Sequence, residues 1–403
     1  MPTYKLKDLV TEVISGEWGQ EPSDELSGVK VIRTTNFSNT GRIDLRKEVV
    51  TREIEPEKVY KKKLLVGDTI VEKSGGSPEQ PVGRVVFFEE TDIYLCNNFT
   101  SILRPNTKLV EPKYLMYLMF NLHRTRRVLR FQNKTTGIIN LKLDQYLQQT
   151  EVVIPSKGVQ QKIVNVLDRT FDIINKRQSQ IVALDELAQS VFLKTFGNIF
   201  DNPKEWEIKK LEDIYEIIDG DRGKNYPKQE EFYDNEYCLF LNTGNVTAQG
   251  FNFNKKMFIT KDKDEVLRKG KLERYDLVVT TRGTVGNIAY YDDKVPYENI
   301  RINSGMVILR GKIEINPWFF IQYFQNPAVY RALISGTAQP QMPIGNMRNA
   351  KIYYPPLQLQ HEFGSKVRNI HEQKERLEKA KNYMDQLYNS LLQTAFNGEL
   401  FQN

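Results

Sequence analysis

An apolar repeat with an average spacing of 3.5 residues occurs twice along the chain. Ten positions from Phe363 to Ala395 lie alternately four and three residues apart, and eight of them are apolar or aromatic. Seven of the ten corresponding positions from Ile163 to Thr195 are apolar. This spacing is typical of a coiled-coil seam. Because neither segment contains a proline, the pattern predicts two long helices of about 40 residues, each roughly 60 Å in length.

The two helical segments match each other at a constant offset of 200 residues, without gaps, over 155–198 and 355–398. A shared register at a constant offset argues against two unrelated surface helices and for an internal duplication. The matching pairs are Pro155 and Pro355, Gln160 and Gln360, Asp185 and Asp385, Leu187 and Leu387, Ser190 and Ser390, and Phe196 and Phe396.

Short β-rich runs separated by Gly, Asn and Asp precede each helical segment and match more loosely. Residues 64–71 resemble 273–279, 82–85 resemble 285–288, and 102–104 resemble 308–310. The pattern predicts an α+β protein with two mixed, β-rich α/β domains, each followed by a long helix, and the two helices pair as an antiparallel coiled coil. The expected boundaries are 1–154 and 201–354 for the domains, and 155–200 and 355–403 for the helices.

Composition restricts the class of protein. Apolar residues make up 40% of the 403 residues and charged residues 27%, which is typical of a soluble globular protein. No apolar run is long enough to cross a membrane, and the first residues do not resemble a signal peptide. We therefore expect a cytoplasmic protein with no membrane partner, in which Cys96 and Cys238 are buried rather than joined in a disulfide.

Basic residues are unevenly distributed, within a net charge of +6. Residues 112–143 contain seven Lys or Arg and no Asp or Glu, and residues 315–361 again contain no acid. Such stretches suit a polyanion, because each phosphate contact releases counterions. For either stretch alone, the alternative is a solvated helix face.

Signatures of catalysis and of metal binding are missing from the sequence. The three histidines, His123, His361 and His371, have no partner at a metal-ligand spacing, and the two cysteines are far apart. There is no Walker A sequence, no Gly-x-Gly-x-x-Gly and no Gly-x-Ser-x-Gly. An enzyme therefore remains possible only with a site assembled from scattered residues.

Polar side chains of the kind that read DNA bases lie beside glycines in both domains. Any one such cluster could be a polar turn, but recurrence at equivalent places indicates paired recognition surfaces. In the first domain, the candidate DNA-binding residues are Arg33, Thr34, Asn36, Lys73, Ser74, Gln80, Asn97, Asn98, Lys134 and Thr135. In the second domain, they are Asn242, Thr243, Asn245, Thr281, Arg282, Arg301, Asn303, Gln339 and Gln341.

Several motifs resemble a known family when they are taken in order. They are Asp68-Thr69-Ile70-Val71 with Gly75, Asp276-Leu277-Val278-Val279 with Gly283, the run Thr337-Ala338-Gln339-Pro340-Gln341, and the prolines and glutamines that open the two helices. The chain resembles the specificity subunit of type I restriction-modification enzymes over nearly its whole length. In the first copy, Thr136-Gly137-Ile138-Ile139-Asn140 departs from the family's Thr-Ala-Gln-Pro-Gln.

The resemblance implies a non-catalytic DNA-binding subunit with two target-recognition domains, each reading half of a bipartite site in double-stranded DNA. It implies two methyltransferase subunits docked on the long helices, and restriction subunits in the full complex. S-adenosylmethionine, ATP and Mg would bind to those partners, with no cofactor or metal in this chain. Three alternatives remain at this point: the recognition subunit of a type IIB-like system, a methyltransferase or nuclease with an unrecognised site, and a coiled-coil scaffold.

Overall fold

The computed structural model describes residues 1–23, 28–77, 79–135, 138–198, 202, 204–336 and 339–401. The chain divides into two compact units. The first consists of residues 1–177 with 380–403, and the second of residues 178–379. Each unit therefore contains one globular domain and half of each long helix. The division of the chain into four consecutive segments stays a prediction.

The first unit begins with short strands and three short helices, which precede the first long helix, α4 (Lys157–Phe196). The short helices are α1 (Pro56–Lys62), α2 (Pro112–Arg124) and α3 (Leu143–Gln149). The strands are β1 (Thr3–Lys5), β2 (Val10–Ser15), β3 (Val29–Ile32), β4 (Val50–Arg52), β5 (Thr69–Glu72), β6 (Ser74–Gly76), β7 (Val85–Phe87), β8 (Tyr94–Cys96), β9 (Thr100–Pro105), β10 (Gln132–Thr135), β11 (Ile138–Leu141) and β12 (Glu151–Val153).

Two sheets form the centre of the first domain. One is antiparallel with the strand order β2-β9-β5-β7, and the other has the order β4-β3-β8, in which β3 and β8 run parallel. Helix α2 packs on β5 and β7. Pro112 suits its first turn, because proline lacks the N–H that would have no partner there, and the Glu111 carboxylate accepts a hydrogen bond from the Tyr114 N–H at 2.8 Å.

The second unit repeats this plan and ends in the second long helix, α10 (Leu357–Phe396). Its short helices are α5 (Leu211–Ile214), α6 (Lys261–Val266), α7 (Pro317–Phe324), α8 (Pro327–Leu333) and α9 (Ile344–Arg348). Its strands are β13 (Glu207–Lys210), β14 (Tyr215–Asp219), β15 (Cys238–Leu241), β16 (Val246–Thr247), β17 (Gly250–Phe251), β18 (Phe258–Ile259), β19 (Leu277–Thr280), β20 (Ile288–Tyr290), β21 (Ile300–Ile302), β22 (Met306–Gly311) and β23 (Lys351–Tyr354).

The sheets of the second domain have the same order as those of the first. The antiparallel sheet is β14-β22-β19-β20, and the smaller sheet is β18-β15-β21, with β15 and β21 parallel. Strands β19, β20 and β22 thus correspond to β5, β7 and β9. These strands contain the segments that resemble each other in the two halves of the sequence, so the predicted duplication of a mixed α/β domain is confirmed.

A buried ion pair recurs at the start of the two matching strands. Asp68 accepts a hydrogen bond from the Leu65 N–H at 2.8 Å and pairs with Arg104 at 3.1 Å. Asp276 is bonded in the same way, with the Glu273 N–H at 2.7 Å and Arg310 at 2.8 Å. In each domain the aspartate stabilises the turn before the strand (β5 or β19), and the arginine comes from the neighbouring strand (β9 or β22). This shared role explains why both sequence motifs begin with Asp.

The long helices α4 and α10 are both 40 residues long and keep the offset of 200. In the first unit, the Phe171 and Tyr388 rings lie 6.2 Å apart, and Lys162 lies over the Phe401 ring. None of the 20 predicted seam positions is exposed. A residue earlier in the first helix, Lys162 instead of Phe171, contacts a residue later in the chain, Phe401 instead of Tyr388. The two helices therefore run in opposite directions, and the predicted antiparallel pairing is confirmed.

In the second unit, the same direction is seen between the other halves of the helices. Lys374 Nζ lies 2.5 Å from Asp185 Oδ1, and the Phe192 and Phe363 rings lie 5.6 Å apart. Phe196 also packs against Phe363, at 4.9 Å between ring centroids. Apolar packing along the seam is thus reinforced by at least one ion pair at its edge.

One glutamine at the start of each long helix explains the matched Gln160 and Gln360, which are both fully buried. The Gln160 amide donates to the Pro155 carbonyl at 2.9 Å and accepts from the Glu111 N–H at 2.8 Å. The Gln360 amide donates to the Pro355 carbonyl at 2.8 Å and accepts from the Asn316 N–H at 3.1 Å. Gln160 therefore connects the start of α4 to the start of α2, and Gln360 connects the start of α10 to the start of α7.

Both cysteines are buried and unpaired, as expected. Burial raises the pKa of Cys96 to about 11 and that of Cys238 to about 12, so both stay as thiols at neutral pH. In the part of the chain that the structure describes, no helix has both the length and the apolar character needed to cross a membrane.

Candidate nucleic-acid interface

Three loops of the first domain meet at one end of its sheets, and we call them the first loop cluster: residues 33–36, 73–74 and 97–98. They follow β3, β5 and β8, and two of these strands are parallel, so their ends lie at the same edge. The Asn97 N–H donates to the Ile32 carbonyl at 3.0 Å. Arg84 donates to both oxygens of Glu72, at 2.8 and 2.9 Å, and to the Thr34 carbonyl at 3.4 Å.

The second loop cluster consists of residues 242–245, 281–284, 303–305 and 341, and it is built in the same way. The Asn303 N–H donates to the Leu241 carbonyl at 3.1 Å, and the Thr284 hydroxyl donates to the Thr243 carbonyl at 3.3 Å. The Met342 N–H donates to the Thr281 carbonyl at 3.0 Å, which brings the neighbouring Gln341 to this edge. Candidate residues that are up to 100 positions apart are therefore neighbours.

A glycine fixes the same close approach in both clusters. A Cβ on Gly16 would lie 2.1 Å from the Asn97 carbonyl oxygen, and a Cβ on Gly220 would lie 2.2 Å from the Asn303 carbonyl oxygen. Both distances are far below van der Waals contact, so any larger residue would push the loop apart. The glycines make the two clusters geometrically equivalent.

Five of the predicted contact residues are at least 93% buried, and four of them have internal partners. Asn36 and Asn245 each accept a hydrogen bond from a backbone N–H, both at 3.0 Å, and donate to neighbouring carbonyls. The Thr281 hydroxyl donates to the Gly305 carbonyl at 3.0 Å. Four of these side chains stabilise the loops from inside, and that of Asn97 is only 5% exposed, so all five lie outside the proposed contact surface: Asn36, Asn97, Asn245, Thr281 and Arg301.

Arg301 is the clearest of these internal residues. Its guanidinium donates to Asp264 Oδ1 at 2.5 Å and to the Lys269 carbonyl at 2.8 Å, while Lys271 pairs with the other Asp264 oxygen at 2.5 Å. Burial of the Asp264 carboxyl disfavours its charge, but hydrogen bonds from Lys271 and Arg301 outweigh this effect and lower its pKa. The sequence placed Arg301 beside a recognition loop, whereas its side chain points into the domain.

The other predicted residues with described side chains are exposed or half-buried. Arg282 is exposed, and among the described residues it has no ion pair. Arg33 is half-buried and pairs with Glu48 at 3.2 Å, and Ser74 donates to Asn140 Oδ1 at 2.5 Å. The remaining accessible residues are Thr34, Lys73, Gln80, Asn98, Asn242, Thr243, Asn303, Gln339 and Gln341.

Some of the predicted contact residues and motif residues lie in segments that the structure does not fully describe. Lys134 and Thr135 belong to β10, but their side chains are not described, and Thr136, Gly137, Thr337 and Ala338 fall outside the described residues. The contact of all the accessible candidates with DNA stays a prediction.

A basic surface of the first domain accompanies its loop cluster. Arg126, Arg127 and Arg130 are exposed, and none of them has an ion pair within the described parts of the chain. They come from the acid-free stretch, and their segment reaches the loop before β7, where Gly83 lies against Val128. Such a surface favours an anionic partner. Among the residues with described positions, no three His, Cys, Asp or Glu side chains form a group that could hold a metal ion.

The repeated clusters agree with a comparison against protein families. The model for the type I restriction modification DNA specificity domain matches residues 1–183 and again residues 203–383. The chain belongs to this family. Both matches start at a globular domain and run into a long helix, so the family unit is the duplicated unit of the fold.

Relatives with assigned names support the family membership. A putative type I restriction enzyme MjaX specificity subunit from Methanocaldococcus jannaschii is 22% identical over 94% of this chain and 90% of its own length. The EcoBI specificity subunit from Escherichia coli is 26% identical over 35% of this chain and 31% of its own length. Among solved structures, the type I S subunit from M. genitalium matches with a TM-score of 0.62 at 17% identity, covering 98% of this chain and 96% of its own, and it supports the fold alone.

Two polar residues that hold the loops in place were missed by sequence reasoning. Arg84 and Asn287 occupy aligned positions in the two domains. Arg84 donates to the Thr34 carbonyl in the first loop cluster at 3.4 Å, and Asn287 donates to the Val246 carbonyl, just after residues 242–245 of the second, at 3.0 Å. The alignment of residues 82–85 with 285–288 was a signal for them. Ser15 and Asp144 also approach the first loop cluster, but no sequence signal joins residues so far apart.

Proposed function

We propose that this chain is the sequence-specific DNA-recognition subunit of a type I restriction-modification system. Each globular domain reads one half of a bipartite site in double-stranded DNA through its loop cluster. The observation that carries the proposal is the repetition of the cluster, with an equivalent glycine and an equivalent hydrogen bond between strand ends in both domains. Two loop clusters with a similar backbone arrangement but different accessible side chains suit the recognition of two different half-sites.

The proposal assigns the chemistry of modification and cleavage to partner subunits. Methyltransferase subunits would dock on the long helices and restriction subunits would join the full complex, with S-adenosylmethionine, ATP and Mg bound by those partners. In support of docking, α4 has four exposed apolar side chains: Ile173, Val182, Leu187 and Leu193. Val182 and Leu193 lie on the opposite side of the helix from Ile173 and Leu187, so they are separate exposed apolar positions that more than one partner could cover.

Replacing one domain tests the proposal directly. A chain in which residues 1–154 come from another member of the family should, with its methyltransferase partner, methylate a site that is new in one half only. Sequencing of methylated bases across a genome measures the result. A change in both halves, or in neither, would contradict the assignment of one half-site to each domain. Methylation by the isolated chain with S-adenosylmethionine would favour the enzyme alternative.

Arg282 is the residue of the second cluster that best suits a base contact, since it is exposed and has no ion pair in the described structure. Arginine binds guanine through two hydrogen bonds, so Arg282→Ala should cost about 1–3 kcal/mol of specific binding and relax one base position. Titration of the complete methyltransferase complex with DNAs that carry single substitutions measures this effect.

Lys261→Ala is the matched control for Arg282→Ala. Lys261 begins α6, just after Ile259, which pairs with Cys238 at the opposite end of β15 from the second loop cluster. The control should change neither affinity nor base preference. Equal weakening by Arg282→Ala on all DNAs, with a shallower dependence on salt, would assign Arg282 to a phosphate instead.

A further inference from the structure

A cavity of about 470 Å³, widely open to solvent on one side, lies beside the first loop cluster. Its wall combines the ends of β2, β5, β9 and β11 with the start of α3. Its size is within the range of small-molecule sites and exceeds that of a lone phosphate ion. The polar lining residues are Ser15, Lys73, Ser101, Lys142, Asp144 and Gln145, and the apolar ones are Val13, Leu141 and Leu143.

Lys73 is the half-buried cation of this cavity. Its ammonium donates to the Ser15 hydroxyl, and among the described residues no carboxylate forms an ion pair with it. Burial lowers the pKa of Lys73, and the charge of Lys62 lowers it further. A partly desolvated ammonium without a carboxylate partner is unfavourable, and an anionic group bound beside it would stabilise it.

The second domain has no equivalent of this arrangement. Thr281 takes the place of Lys73 after the matching strand, and it is buried against the Gly305 carbonyl. Asp219 takes the place of Ser15, at the end of β14. A carboxylate in that position would repel an anion, so the features that favour anion binding are specific to the first domain.

We propose that this cavity binds a phosphate group carried on an organic body of nucleotide size. Lys73 and Ser15 hold the phosphate, Lys142 adds a second positive charge at the wall, and the apolar residues cover the sugar or base. Asp144 opposes the phosphate and limits its affinity. The phosphate belongs either to the DNA backbone, in which case the inference rests on the proposed function, or to a free nucleotide.

Binding of deoxyadenosine 5′-monophosphate to the full chain without DNA is the first test, with deoxyadenosine as the probe that lacks phosphate. Titration calorimetry should detect the nucleotide but not the nucleoside. Lys73→Met should weaken nucleotide binding by about tenfold or more, because it removes a charge-assisted hydrogen bond. Asp144→Asn should strengthen it by about two- to fivefold, because it removes a repulsive charge.

Two controls separate charge from structure. Lys73→Arg keeps the charge and should retain nucleotide binding within about threefold. Lys61→Met removes an exposed lysine of the same domain that pairs with Glu57 at 2.6 Å and does not line the cavity, and it should have an effect below about twofold. Equal losses of nucleotide binding in Lys73→Met and Lys61→Met would overturn the proposal. If thermal melting shows that Lys73→Met is unfolded, Lys73→Arg decides, and absence of nucleotide binding by that variant would also overturn the proposal.

DNA titrations then identify the source of the phosphate. If it is a backbone phosphate, Lys73→Met should lower the affinity of the methyltransferase complex for all DNAs and reduce the salt slope by about one, and the nucleotide should compete with DNA. If it is a free nucleotide, DNA affinity should not change and competition should be absent. Failure of Lys73→Met to change either nucleotide or DNA binding would overturn the inference, while DNA recognition by the two domains would stand.

Discussion

Replacing Phe196 with alanine is expected to lower the free energy of unfolding of the second unit by about 3–5 kcal/mol. The Phe196 side chain is 1% exposed, and its ring lies 4.9 Å from those of Phe319 and Phe363 and 5.5 Å from that of Trp206. These partners come from the second domain and from α10. Truncation would leave a cavity between them that the rigid aromatic rings cannot fill.

Hydrogen exchange measured by mass spectrometry can assign this loss to a unit. Peptides from residues 204–336 should exchange faster in Phe196→Ala, whereas peptides from residues 28–135 should be much less affected. Leu193→Ala, on the same helix but 48% exposed, is the matched control and should change stability by about 0.5 kcal/mol or less. Similar effects of the two substitutions would show that the aromatic cluster does not stabilise the unit.

Arg301→Ala is expected to cost about 3–5 kcal/mol of stability, because it leaves the buried Asp264 with Lys271 as its remaining ion-pair partner. The double variant Asp264→Asn with Arg301→Met should lose less, since the one charge that it leaves without its partner is Lys271, whose side chain is 33% exposed and can be hydrated. Chemical denaturation measures both. Arg268→Ala is the control, because its side chain is 75% exposed and its contact with Asp221 is long, at 3.8 Å.

The pH dependence of Arg301→Ala provides an independent check. The pKa of Asp264 lies below its ordinary value of 3.8 in the folded chain, so the unfolded chain binds the proton more tightly. The contribution of this ion pair is therefore present above pH 3.8 and is lost as the pH falls through the folded pKa. The wild type and the variant should converge in stability at that acidic end. An altered DNA specificity at normal stability would instead return Arg301 to the recognition surface.

The fold was more accessible from the sequence than the site was. The seam from Ile163 to Thr195 and its copy are regular because helix pairing requires apolar residues at fixed spacing, and this requirement is visible in the sequence. The β domains were found through the recurrence of motifs such as Asp68 and Asp276, each of which holds the same turn. Periodicity and duplication therefore predicted the elements and their order.

The candidate site was predicted less completely, because polar residues beside glycines serve two purposes that look alike in sequence. Asn36 and Asn245 stabilise the loops from inside, whereas Arg282 of the same kind of loop is exposed. Whether such a residue stabilises the loop or faces solvent depends on the direction of the strand before it and on how deeply it is buried. Neither property can be read from a single sequence. Ser15, Lys73 and Asp144 meet only because four distant segments converge, so the cavity had no signal in the sequence.

The first unit is built from two separate stretches of the chain, and this affects the order in which the two units can fold during synthesis. Residues 1–177 are completed in their compact form by residues 380–403, which are synthesised more than 200 residues later. On the ribosome, the half of α4 that carries Leu167 and Ile174 must wait for Tyr388 and Leu392, while the second unit, residues 178–379, is continuous and can close first. The part of the protein that emerges first is therefore the last to become complete, and it is the part most in need of protection from aggregation during translation.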